Sequence, residues 1–178
     1  MRQAGLAVLL SGLVAFGAGF GQPPLPKPDW GAWEFLLGDW VGEGGGAPGQ
    51  GQGQFSFALE LQKRILVRRN RSEYPATQKA PASIHEDLLV VRAVPGESGP
   101  EAVYFDSEGH RIDYAALAGL TEWRFLSQAT PSSPGFRLTY KKTGPETLDL
   151  EFEIAPPGKA SEFKPYIRAK ARRAVKGK

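Results

Sequence analysis

The sequence contains no cysteine, one methionine and two histidines, and its only long apolar run lies within the first 21 residues. The absence of cysteine excludes a disulfide framework, a thiolate metal site, a cysteine nucleophile and a lipid-modified cysteine. Stability must therefore come from an apolar core. Imidazole chemistry is restricted to His85 and His110.

Residues 1–21 have the pattern of an export signal. Arg2 supplies the charged start, Leu6 to Phe20 is apolar, and small residues precede position 22. Four prolines follow between positions 23 and 28, which favours a cleaved signal over a retained anchor. We therefore expect a periplasmic or secreted protein with no transmembrane segment after cleavage.

The chain as a whole has the length and composition of one domain rich in strands. The 178 residues are 41% hydrophobic and include 22 glycines, 15 prolines and 10 phenylalanines. This composition favours short strands joined by many turns. We predict a proline-rich lead-in with a short helix at 22–33, a barrel at 34–174 and a basic tail at 175–178.

Ten segments have the features of strands. In residues 54–62 the side chains of Phe55, Phe57 and Leu59 share one face, and residues 148–154 alternate in the same way. The sequence predicts an all-β fold, a single antiparallel up-and-down β-barrel of about ten strands with a short N-terminal helical turn. A two-sheet sandwich is the alternative. The predicted strands begin at 40, 54, 64, 83, 101, 111, 121, 135, 148 and 162.

Gly38-Asp39-Trp40 leads into the first predicted strand, and here the chain resembles the lipocalin-like calycins, in particular the nitrobindin-like β-barrels. The resemblance implies structural roles for Gly38 and Trp40. It also implies that an arginine of the last strand packs over Trp40. Arg168 is the candidate chosen for this role, with Arg172 and Arg173 as alternatives.

Nitrobindin-like barrels bind haem through a histidine on a late strand, and the resemblance would imply the same here. Both histidines of this chain lie earlier, at positions 85 and 110. Haem is therefore disfavoured and no cofactor is predicted. Tyr140 or Tyr166 could replace the histidine as a phenolate ligand, but nothing in their spacing indicates it.

Polar residues interrupt the alternation of three predicted strands. In 83–94 a polar side chain points inward whichever face of the strand lies toward the core, because His85 and Asp87 lie on one face and Glu86 on the other. Strands 64–73 and 101–106 show the same conflict. Inward polar groups need partners or a ligand.

Strand order brings these polar groups together. In an antiparallel meander Asn70, His85, Asp106 and His110 fall at one barrel end, which also receives the longer loops. We predict that this end is an open mouth that binds a small hydrophobic or amphipathic molecule. The predicted orienting and lining residues are Arg68, Asn70, His85, Asp87, Tyr104, Asp106, Phe55, Phe57 and Phe136. The alternative is a buried network whose members satisfy one another.

Three other functions are weaker alternatives. His85 with Asp87 or Asp106 could serve a hydrolase-like enzyme, although no nucleophile motif accompanies them. A barrel filled with side chains could have a structural or interaction role. His85, Asp87, Asp106 and His110 could in principle ligate a metal, but their spacing matches no known motif, and no metal site is predicted.

The last eleven residues carry six basic side chains, which leaves 16 basic against 19 acidic residues in the rest of the chain. Such a tail could contact nucleic acid or an anionic membrane surface. No aromatic stacking platform accompanies the charges, so a solvated last strand is favoured and no nucleic-acid partner is predicted.

Overall fold

The computed structural model describes residues 25–43, 52–78, 80–97 and 99–175. The predicted export signal and residues 176–178 of the basic tail lie outside these ranges. A 3₁₀ helix spans Gly31–Leu36. The ten strands are β1 Gly38–Glu43, β2 Gln52–Glu60, β3 Ile65–Tyr74, β4 Ser83–Arg92, β5 Glu101–Asp106, β6 Arg111–Ala118, β7 Glu122–Leu126, β8 Gly135–Lys142, β9 Thr147–Ala155 and β10 Lys164–Arg173.

The strands form a closed antiparallel barrel in which each pairs with its neighbours in sequence and β1 pairs with β10. Trp40 lies opposite Arg173 at this closing pair. Closure leaves no free sheet edge, so the sandwich alternative is wrong and the predicted barrel is confirmed. Among the described residues, no helix has the length and apolarity needed to cross a membrane.

Aromatic side chains form much of the buried core inside the barrel. Tyr140 is fully buried and its ring lies 5.6 Å from Phe55, 5.5 Å from Phe57 and 6.3 Å from Phe125, measured between ring centres. The rings meet edge-on or tilted, which are favourable arrangements for aromatic pairs. This packing supplies the core that a chain without disulfides requires.

The 3₁₀ helix closes the barrel end at which β1 begins. Trp33 and Leu36 are buried beneath it. The Trp30 indole donates a hydrogen bond to the carbonyl of Lys63, and the Trp123 indole donates to the carbonyl of Ala32. These bonds tie the helix, which we call the plug, to the β2–β3 turn and to β7.

Arg173 occupies the position over Trp40 that was assigned to Arg168. Its guanidinium carbon lies 4.4 Å from the centre of the Trp40 ring. Arg168 points to the outer wall, where it pairs with Glu151. The assignment to Arg168 is therefore corrected to Arg173, one of the two alternatives. Their parity on β10 explains the difference, because odd-numbered residues from Ile167 onward share the inward face of Ala171.

Gly38 is required at this junction for two reasons. Its φ of +105° lies in a region that side chains disfavour, and a β-carbon there would approach an Nη atom of Arg173 to 3.1 Å. A glycine at position 38 therefore leaves room for the Arg173 side chain beside β1. The structural roles implied for Gly38 and Trp40 are consistent with this geometry.

Candidate functional site

The barrel has one end that the 3₁₀ helix closes and an opposite end at which β1, β3, β5, β7 and β9 finish. We call this second end the mouth. The inward-facing residues nearest the mouth, which we call its upper layer, are half-buried. The inward-facing residues nearest the 3₁₀ helix are buried. Asn70, His85 and Asp106 all lie in this layer, as the strand order predicted.

The mouth has two chemically different walls. The polar wall lies on β3, β4 and β5 and consists of Asn70, Ser72, His85, Asp87, Tyr104 and Asp106. The apolar wall lies on β8, β9 and β10 and consists of Phe136, Phe152 and Ile167. In the ring of ten strands, β3, β4 and β5 stand five places from β8, β9 and β10. The two walls therefore face each other across the barrel.

The apolar wall presents a stacked aromatic pair. The rings of Phe136 and Phe152 are 5.9 Å apart at an interplanar angle of 7°, and both are half-buried. Tyr166 meets Phe152 edge-on at 6.3 Å. Phe152 and Ile167 were missed as lining residues by sequence reasoning. Two features of the sequence could have identified them. Phe152 lies on the apolar face of β9, and Ile167 belongs to the alternating apolar residues Ile167, Ala169 and Ala171 of β10.

A buried ion pair anchors the polar wall. Arg68 Nη1 donates to Asp87 Oδ1, and the two side chains are 6% and 5% exposed. Asn70 Nδ2 donates to the other oxygen of Asp87 at 2.9 Å. Burial acts to raise the pKa of Asp87, but the Arg68 charge and the hydrogen bonds from His85 and Asn70 together outweigh it, and the pKa is lowered. Asp87 is thus an ionised carboxylate with both oxygens engaged.

His85 connects this pair to the rim. Its Nδ1 lies 2.8 Å from Glu108 Oε2, and its Nε2 lies 3.3 Å from the Tyr104 hydroxyl and 3.4 Å from Asp87 Oδ2. The interaction with Asp87 raises the pKa of His85, although burial acts in the opposite direction. Both ring nitrogens are engaged, so the imidazole has no free nitrogen to act as a base on a substrate. Glu108, in the β5–β6 turn, was not among the predicted residues.

Two of the four candidate metal ligands, Asp106 and His110, flank the β5–β6 turn. Donor atoms of Asp106, Glu108 and His110 lie within 4.8 Å of one another. Asp106 Oδ1, however, accepts the backbone N–H groups of Glu108 and His110, and its Oδ2 lies 2.9 Å from His110 Nδ1. These bonds fold the turn and account for the cluster without a metal. His85 contacts Glu108, and Asp87 lies behind His85 rather than among these donors.

The remaining predicted residues divide between the mouth and the core. Phe136 lies in the apolar wall. Phe55 and Phe57 are 7% and 2% exposed and belong to the core. Phe55 stacks against Trp40 with ring centres 6.2 Å apart. These two rings therefore belong to the buried core, and Phe55 lies opposite Asn70 in the strand pairing.

Two grooves bounded by described residues lie on the outer wall. One, of about 370 Å³, runs along β1 to β4 beside Arg71 and Glu86. The other, of about 430 Å³, crosses β7 to β9 beside Arg137 and Glu153. Both contain ion pairs between these residues. Such grooves have the character of a solvated barrel exterior.

No known family model matches the chain, and no curated protein sequence matches it. The closed ten-stranded barrel agrees with a lipocalin-like calycin architecture.

Proposed function

We propose that the protein binds a small, partly apolar molecule at the mouth of its barrel. The observation that supports this most directly is the opposition of the two walls. A half-buried aromatic pair faces a set of hydrogen-bonding side chains across a barrel of a size that can hold one small ligand. An amphipathic molecule would place its body on Phe136 and Phe152 and its polar head toward β3 to β5.

The closed end of the barrel indicates where a ligand would enter. The opposite end is closed by buried Trp33 and Leu36, and indole hydrogen bonds hold the helix that carries them. A ligand would therefore enter from the mouth. We further propose that this binding takes place outside the cytoplasm, on the basis of the export signal predicted at residues 1–21.

Haem is not the ligand that we propose. Nitrobindin-like barrels hold haem by a late-strand histidine, whereas His85 lies on β4 and His110 precedes β6. His85 is also held at both nitrogens by neighbouring side chains. A ligand without a metal centre therefore fits the mouth better.

The test is a titration of the full chain with a neutral apolar fluorophore, N-phenyl-1-naphthylamine. We expect saturable binding in the wild type. Phe136→Ser should weaken it about tenfold, because burial of a phenylalanine side chain contributes roughly 1.5 to 3 kcal/mol.

Phe105→Ser is the matched control, because Phe105 is 43% exposed and lies on the outer wall. It should leave the affinity unchanged. A wild type that binds no fluorophore, or equal losses in the two variants, would refute the proposal and favour a barrel with a filled interior.

A further inference from the structure

Two buried hydrogen-bonding atoms beneath the mouth make no hydrogen bond of normal geometry within the described residues, although their side chains interact with each other. They are Nε of Arg68 and the hydroxyl oxygen of Tyr140. Arg68 is 5% exposed and Tyr140 is fully buried. An unpartnered buried polar group carries a desolvation cost of roughly 1 to 3 kcal/mol. Two such atoms in one interior call for a common explanation.

The two atoms come from opposite walls. Arg68 lies on β3 and Tyr140 on β8, which stand five places apart in the ring of strands. The Arg68 guanidinium nevertheless reaches across the barrel, and its central carbon lies 5.9 Å from the centre of the Tyr140 ring. The pair thus spans the interior at the floor of the mouth.

The position of the floor relative to the walls follows from the strand alternation. Arg68 is the next inward residue below Asn70 on β3, and Tyr140 is the second below Phe136 on β8. A molecule that lies against the apolar wall and extends into the barrel would bring its end to this floor. The rings of Phe55 and Phe57 pack against the Tyr140 ring.

We propose that the ligand carries an uncharged oxygen acceptor, such as a ketone, ester or amide carbonyl, which accepts hydrogen bonds from Arg68 Nε and the Tyr140 hydroxyl. The inference rests on the proposed function and names the chemistry of the ligand's head. A carbonyl oxygen has two lone pairs and can accept from both donors at once.

The charges around the floor select a neutral head over a charged one. Asp87 already neutralises Arg68 through the buried ion pair. A carboxylate head would bring a second anion next to Asp87 in a poorly solvated interior, which is costly. An ammonium head needs acceptors, whereas the guanidinium offers only donors. Burial also raises the pKa of Tyr140, so its hydroxyl keeps its proton and remains a donor.

The experiment displaces N-phenyl-1-naphthylamine from the full chain with three ligands of equal chain length, 2-dodecanone, dodecanoate and dodecylamine. We expect 2-dodecanone to bind most tightly. Tyr140→Phe should weaken 2-dodecanone binding about 2- to 10-fold, as expected for one hydrogen bond, and should leave the fluorophore affinity unchanged because that probe has no oxygen.

Thr139→Val is the control for removal of a hydroxyl, because Thr139 precedes Tyr140 on β8 but lines the groove on the outer wall, and it should change neither affinity. The infrared carbonyl stretch of bound 2-dodecanone gives a second readout. In the wild type its frequency should be lower than that of the unbound ketone. In Tyr140→Phe the frequency should rise part of the way back to the unbound value.

The possible failures are distinguishable. If the fluorophore binds but Tyr140→Phe alters neither ketone affinity nor the carbonyl stretch, the inference is overturned and an ordered water alone occupies the floor. Tighter binding of dodecanoate or dodecylamine would overturn the neutral head. Absence of fluorophore binding would refute the proposed function itself.

Discussion

The guanidinium of Arg173 lies over the ring of Trp40 and joins the last strand to the first. Its Nη1 donates to the Leu37 carbonyl at 2.6 Å and its Nη2 to the Phe35 carbonyl at 2.8 Å. These carbonyls belong to the end of the 3₁₀ helix and the residue that follows it. One side chain therefore fixes the plug, β1 and β10 relative to one another.

We predict that Arg173→Ala lowers the free energy of unfolding by about 2 to 4 kcal/mol, because it removes two charged hydrogen bonds and a cation–π contact. Arg173→Lys should recover only part of this loss, since an ammonium lacks the planar fork. Arg168→Ala is the matched control. Its side chain is 73% exposed in a pair with Glu151, so the loss should stay within about 1 kcal/mol. Urea unfolding measures all three, and equal losses for Arg173→Ala and Arg168→Ala would contradict the assignment.

The sequence could have identified Arg173 from the phase of β10. Ile167, Ala169 and Ala171 are the apolar members of that strand, and Arg173 continues their face. The choice of Arg168 instead followed a family resemblance that does not define register. Register depends on pairing with β1 and β9 and includes an irregularity between Pro165 and Ile167. Such a shift arises from tertiary packing and leaves little trace in sequence.

The mouth shows a similar division between what the sequence could and could not predict. The broken alternation of β4 required a polar side chain inside the barrel, and strand parity placed Asn70, His85 and Asp106 at one end. The inward phase of β4 was undecided, because Ile84, Leu88 and Val90 balance Leu89 and Val91. The contact between Arg68 and Tyr140 depends on barrel closure, which sets which strands face each other.

Loss of one member of the buried ion pair should be costly. We predict that Asp87→Ala lowers the free energy of unfolding by about 3 to 5 kcal/mol, because it leaves the Arg68 charge buried without compensation. The double variant Arg68→Met with Asp87→Leu should be less destabilised than the sum of the single variants. Denaturant titrations of the wild type, Arg68→Met, Asp87→Leu and the double variant form a double-mutant cycle. Strict additivity would show that the two side chains are not energetically coupled.

Stability should also depend on the protonation of His85. Its pKa is raised in the folded state, chiefly by Asp87 and further by Glu108. Its contribution is therefore complete below the unfolded pKa of about 6.5 and is lost as pH rises through the folded value. We expect the free energy of unfolding to fall with increasing pH above about 6.5, and His85→Gln to remove this slope.

His110→Gln is the control for that experiment, because the His110 side chain is 70% exposed and contacts Asp106 rather than Asp87. It should retain the slope of the wild type. Urea unfolding between about pH 5 and pH 9 provides the measurement. A slope that survives in His85→Gln would assign the pH dependence to other groups.

The β2–β3 turn offers a substitution that should stabilise the protein. Leu61, Gln62 and Lys63 all have positive φ, with 57° at Gln62, and this conformation costs roughly 1 to 2 kcal/mol for a residue with a β-carbon. We predict that Gln62→Gly raises the free energy of unfolding by up to about 1 kcal/mol, since the entropy of glycine in the unfolded chain offsets part of the relief. Gln54→Gly, the same change within β2, should instead destabilise by about 0.5 to 1 kcal/mol. Thermal and urea unfolding of both variants test the sign. A loss of stability in Gln62→Gly would show that contacts of the glutamine side chain outweigh the backbone strain.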